Sequence, residues 1–186
     1  GSAKSVASSI NKRAETTGVT ADARTLVQLS FSEDDTYSFQ LYGSNSEAVS
    51  IRGKVEGGDL SLLAEAINAE KGTTGISARI EEGKLWLVSE RGDDIVLEDF
   101  LSEENGTAVI QAFDYSGEDE LTSAVTTLDD DSSARAIGVV RMSSNNAFST
   151  EADGITVDGS ATQNFSRLES VDDIDLLTDV DAQLAI

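Results

Sequence analysis

Between Leu60 and Ile67 the apolar residues Leu60, Leu63, Ala64 and Ile67 fall at i, i+3, i+4 and i+7. That spacing predicts one stripe of an amphipathic helix. Gly57-Gly58-Asp59 breaks the chain before it, with Asp59 the expected N-cap. Gly72 is the expected left-handed stop. From Ile76 to Ile80 the period changes to two, as in a half-buried strand. Glu82-Gly83 signals a turn, and Leu85-Trp86-Leu87-Val88 returns as the partner strand. Arg91-Gly92-Asp93-Asp94 turns the chain again, into Ile95-Val96-Leu97.

The beginning of the chain runs the same way. Val6, Ala7, Ile10 and Ala14 mark a short helix. Val19, Ala21 and Ala23 open a strand that continues through Leu29 and Phe31. Glu33-Asp34-Asp35 reads as a polar turn, and Tyr37, Phe39 and Leu41 alternate on the return strand. Val49 and Ile51 mark another strand. The expected unit is therefore a helix, a β-hairpin and a further strand, with the helix covering its own strands.

After Leu101 the pattern stops. Val109 to Tyr115, Ala136 to Met142 and Ile155 to Val157 read as strands. Asp129-Asp130-Asp131-Ser132-Ser133 and Ser143-Ser144-Asn145-Asn146 read as exposed connections. The expected class is α+β, mainly β. Two repeated helix–hairpin units occupy 1–101, and a variable β-rich segment follows at 102–168, for which a separate lobe is one arrangement. Residues 169–186 change character: Asp172 and Asp173 precede Ile174, Leu176 and Leu177, and 179–186 reads as the start of a helix.

The two units share more than a pattern. Ile10-Asn11 and Thr16-Thr17-Gly18-Val19-Thr20-Ala21 recur as Ile67-Asn68 and Thr73-Thr74-Gly75-Ile76-Ser77-Ala78, at a constant offset of 57 (67 − 10 and 75 − 18). A repeated helix-to-strand unit points to a modular structural protein rather than to an enzyme. Gly18 and Gly75 are expected to permit the bend between helix and strand. Neither Thr-Thr-Gly stretch carries the lysine of a phosphate loop.

Ile-Asn followed by Thr-Thr-Gly and an alternating strand resembles the motif in the variable region of bacterial flagellins and some hook-associated proteins. The motif residues are Ile10, Asn11 and Gly18, then Ile67, Asn68 and Gly75. Ser170-Val171-Asp172-Asp173-Ile174-Asp175 and Ala182-Gln183-Leu184-Ala185-Ile186 look like the place where flagellins re-enter their helical core. The resemblance implies an outer, surface-facing filament module with no catalysis and no cofactor. It implies export unfolded, an extracellular location, and partners that are other flagellin subunits, met through helical arms this sequence lacks. The isolated chain is then expected to be monomeric. O-linked glycans on exposed Ser or Thr belong to the same implication. The alternatives are a filament-cap or hook-associated protein with the same motif, or a carbohydrate-binding or adhesive surface module.

Composition narrows the chemistry. The chain has 35 acidic and 13 basic residues among 186, a formal charge of −22. Such a field repels nucleic acid and anionic membranes. There is no Cys, His or Pro, which removes thiolate chemistry, imidazole chemistry and slow prolyl isomerisation. No apolar run reaches the length that crosses a bilayer as a helix, and no signal peptide is visible at Gly1.

Carboxylates are numerous enough for some pair to sit at glycosidase spacing, but solvated acidic surface is the simpler reading. Trp86 lies in an expected hairpin, where packing accounts for it. Asp129-Asp130-Asp131 and the stretch from Asp153 to Gly159 are acidic loops of a kind that attracts calcium, yet neither matches an EF-hand. Arg91-Gly92-Asp93 matches an integrin-binding tripeptide and also serves as a turn. Asn105-Gly106-Thr107 and Asn164-Phe165-Ser166 fit the N-glycosylation pattern.

Overall fold

The computed structural model describes residues 2–150 and 164–165. The expected strand at Ile155 to Val157, the acidic loop at 153–159 and the segment 169–186 lie outside them. Strand dominates, in antiparallel sheets with a few short helices.

The elements run α1 (Ala3–Asn11), α2 (Ala14–Thr17), β1 (Val19–Phe31), β2 (Thr36–Tyr42), β3 (Val49–Lys54), α3 (Ser61–Ala69), α4 (Lys71–Thr74), β4 (Ser77–Glu81) and β5 (Lys84–Ser89). β6 (Ile95–Ser102), β7 (Ala108–Phe113), β8 (Glu120–Leu128), β9 (Ser132–Ala136) and β10 (Val139–Ser144) follow. Two two-residue strands, at 149–150 and 164–165, pair with each other.

One sheet has the order β4-β5-β1-β7-β8, and β10 pairs with the first half of β1. The other has the order β3-β2-β6-β9. Strand β1 is the pivot. Its residues 19–24 pair with β10, and its later residues pair with β5 on one side and β7 on the other. At Leu26 the second face of β1 is covered as well, which explains the adjacent apolar pair Leu26-Val27 where strict alternation would place a polar residue, while Gln28 and Ser30 on that face stay half-buried. Val27 and Leu29 join the main core, whereas Leu26 packs with Trp86, Val88 and Phe113 in a separate cluster. Strand β2 alternates cleanly, with Tyr37, Phe39 and Leu41 buried between half-buried polar neighbours.

The two sheets share one core. Val27, Leu29, Leu85, Leu87 and Ile110 come from the first sheet, and Tyr37, Phe39, Leu41, Ile51, Leu97 and Phe100 from the second. Helix α3 adds Leu63 and Ile67, both with no exposed surface. Helix α1 packs on β1 and β10 over a smaller cluster of Ala3, Ala7, Ala21 and Ala23, with Ile10 half-buried against it.

Several expectations are corrected. Glu33-Asp34-Asp35 does not turn a hairpin: β1 and β2 lie in different sheets, and β2 pairs with β3 and β6. The second unit does contain its hairpin, β4–β5. Helix α3 packs on β3 of the first unit as well as on its own β4. The two units are therefore interlocked, because each sheet needs strands from both to bury its inner face. Residues 108–144 are no separate lobe; β7, β8 and β10 extend the first sheet and β9 the second. The expected strand from Ala136 to Met142 is broken at Ile137-Gly138, where the chain leaves one sheet for the other. Ser143 and Ser144 belong to β10.

Candidate functional site

The repeated motif builds two copies of one joint. In the first, Asn11 Nδ2 donates to the Ala21 carbonyl at 2.7 Å, and Asn11 Oδ1 accepts from the Ala21 N–H at 2.7 Å. In the second, Asn68 Nδ2 donates to the Ala78 carbonyl and its Oδ1 accepts from the Ala78 N–H, both at 2.8 Å. An amide carries a donor and an acceptor side by side, so it pairs with a strand residue as a neighbouring strand would. An Asp in its place would lose the donor.

The threonines act in parallel. Thr17 Oγ1 donates to the Arg13 carbonyl and accepts from the Val19 N–H. Thr74 Oγ1 donates to the Glu70 carbonyl and accepts from the Ile76 N–H. Gly18 and Gly75 follow at φ +69° and +72°, in the left-handed region, as the C-caps of α2 and α4. Gly72 is therefore not the left-handed stop: α3 ends with Glu70 as its C-cap, Gly72 lies within α4, and the left-handed residue is Gly75 at the end of α4. Ile67 anchors its joint in the main core, and Ile10 anchors the other against the alanine cluster.

Both ends of each asparagine amide are engaged with backbone, so the joints position chain rather than offer groups to a ligand. No hydrogen bond or ion pair joins the two copies among the described residues. One serves β1, where it pairs with β10, and the other serves the edge strand β4.

The remaining candidates resolve as follows. In Arg91-Gly92-Asp93 the aspartate is 8% exposed and is held by Lys4 Nζ at 2.8 Å. The Asp93 carbonyl accepts from Thr25 Oγ1, and the Gly92 carbonyl from the Lys4 N–H. The tripeptide is thus a turn whose acid is spent inside the fold. Asp94 Oδ2 accepts from Arg135 Nε at 2.9 Å and also from its Nη2, while Asp94 Oδ1 is buried with no hydrogen-bond partner among the described residues. These two residues line an open cavity of about 630 Å³ with Tyr42, Val96 and Glu98.

Asp129 and Ser132 close their own turn, and Asp130 accepts from the Ser102 N–H. No group of three or more acidic side chains among the described residues is arranged to hold a metal ion. Trp86 packs against Phe113 at 4.5 Å between ring centroids, with the Arg79 guanidinium 5.5 Å from its ring. Asp59 is not the N-cap, which is Leu60, but its Oδ1 accepts the Ser61 N–H.

Sequence reasoning missed Asp35, read only as a turn residue. It is 5% exposed and accepts four backbone N–H bonds: Thr36 at 2.6 Å, Glu104 at 2.9 Å, Gly106 at 3.1 Å and Glu103 at 3.2 Å. Burial pushes its carboxyl pKa up, but those donors outweigh it and hold the value below the ordinary 3.8. No local signal marks it, because three of its four partners, Glu103, Glu104 and Gly106, are some seventy positions away in the chain.

No protein-family model matches the chain, and no curated protein matches it.

Proposed function

We propose that this chain is the outer, surface-exposed module of a bacterial flagellar filament subunit, with a structural role and no catalysis. The observation that supports this most is the duplicated joint. Two motifs of the kind found in flagellin variable regions make the same set of side-chain-to-backbone bonds, at the same offsets, in both copies. A motif kept for geometry suits a module whose task is display. The charge of −22 fits a solvent-facing layer, since like charge keeps crowded neighbours apart. Partners on this reading are other subunits, joined through helical arms outside this sequence, and the location is extracellular.

Immunogold labelling of the source cells, with antibody raised against the folded chain, tests the proposal. Gold along the length of flagella is the expected result. Gold confined to the filament tip or the hook would favour a cap or hook-associated protein. Gold absent from flagella would overturn the reading.

A further inference from the structure

We infer that Asn105-Gly106 is a self-modification site, at which the asparagine closes onto the next backbone nitrogen, and that the Asp35 carboxylate holds this reaction shut in the folded chain. The reaction needs only water. The Gly106 nitrogen gives up its proton and attacks Asn105 Cγ; the C–N bond of the side-chain amide breaks and ammonia leaves. Water then opens the succinimide at either carbonyl, leaving aspartate or isoaspartate. Each event adds one negative charge beside Glu103 and Glu104 and, for isoaspartate, one extra backbone carbon.

The fold itself selects the reactive dipeptide. Asn105 has φ +69°, a region that Asn enters more readily than most side chains. A side chain at 106 is excluded: a Cβ there would lie 2.3 Å from Tyr37 Oη and 3.0 Å from Asp35 Oδ2. The loop between β6 and β7 therefore calls for Asn followed by Gly, and glycine offers the attacking nitrogen least hindrance. Asn105 is exposed, so water reaches its amide.

The same packing restrains the nitrogen. The Gly106 N–H donates to Asp35 Oδ2 at 3.1 Å, and Gly106 is buried. A donated proton is not free to leave, and a carboxylate at that distance opposes the negative charge that forms on nitrogen. The neighbouring Glu103 and Glu104 N–H groups bind the same carboxylate, at 3.2 and 2.9 Å. The loop is thus held on both sides of Asn105, and the nitrogen is kept from swinging onto Cγ.

The test follows isoaspartate at position 105 over time, by methyl transfer with an isoaspartyl methyltransferase and by peptide mass. Three samples are incubated at one neutral pH: the folded chain, the chain in urea, and a peptide of residues 102–108. Isoaspartate is expected in the peptide and in the urea-unfolded chain, and at least about tenfold more slowly in the folded chain, a barrier difference near 1.4 kcal/mol. Folded Asp35→Asn is expected to react several-fold faster than the unaltered chain. Absence of isoaspartate from the peptide, or equal rates in folded and unfolded chain, would overturn the inference. If Asp35→Asn does not fold, amide hydrogen exchange of the unaltered chain decides the role of Asp35. Protection of Gly106 together with Glu104 supports it, and exchange of Gly106 at the free-peptide rate overturns it.

Discussion

Asn11 and Asn68 show how a short polar side chain can finish a fold. Each supplies a donor and an acceptor to one strand residue, so each replaces a missing stretch of strand. Replacing either with Ala leaves the facing N–H and carbonyl without their partners. We expect Asn11→Ala and Asn68→Ala each to lower stability by about 1–2 kcal/mol in urea unfolding. No bond joins the two joints, so the double variant should lose about the sum. Strong non-additivity would show that the joints are coupled. Asp35 makes a different prediction, one of pH. Its folded pKa lies below the unfolded value of 3.8. Its contribution is therefore fully present above 3.8 and is lost as pH falls through the lowered folded value. Asp35→Asn should be less stable at neutral pH, and its stability should fall less on acidification over that window. An acid limb unchanged by the substitution would contradict this.

Among the elements, α3 ties the two units together. Leu63 is fully buried, and its side chain fills the space over Gly53, where a Cβ would sit 2.9 Å from Leu63 Cδ2 and Cγ. Leu63→Ala should cost about 2–5 kcal/mol, measured by thermal or urea unfolding. The larger end of that range is expected, because a helix seated on strands of both units has little room to collapse into the void. Helix α3 was legible from Leu60, Leu63, Ala64 and Ile67, and hairpin β4–β5 from Glu82-Gly83, since both are local patterns. The separation of β1 from β2 was not legible. Alternation in Tyr37, Phe39 and Leu41 says that one face is buried, not which strand lies alongside.

For the molecule as a whole, interlocking sets what can fold alone. Strands β7, β9 and β10 cover strands of the first 101 residues. A chain ending at 101 would expose the edges of β1 and β6 and part of the core formed with Ala108, Ile110, Leu128 and Ala136. We expect fragment 1–101 to show no cooperative unfolding transition by circular dichroism, whereas a self-sufficient pair of units would show one. The charge of −22 acts over the whole surface. On the filament reading, modules on adjacent filaments repel until salt shortens the range to about 10 Å at 0.1 M. Bundling of filaments should rise with salt, and also on neutralising acidic residues; bundling indifferent to both would count against the idea.

Local pattern was enough to place α1, α3, the alternating strands β2 and β4 and the repeated Ile-Asn and Thr-Thr-Gly segments, because the bonds of these joints reach at most about ten residues along the chain; the short helices α2 and α4 and strand β8 were not legible in it. Composition supplied the acidic charge, and the repeat marked Gly18 and Gly75 as bend positions, whereas the left-handed stop expected at Gly72 falls instead at Gly75. Strand partnership, the union of residues 108–144 with both sheets, and the burial of Asp35 and Asp93 came from the tertiary structure. These depend on contacts between segments far apart in the chain, where several pairings satisfy the same alternation. Only packing of both sheets against one core selects among them. The Asn105-Gly106 loop spans the two cases: the dipeptide is plain in the sequence, but the carboxylate that restrains it arrives from seventy-one residues away.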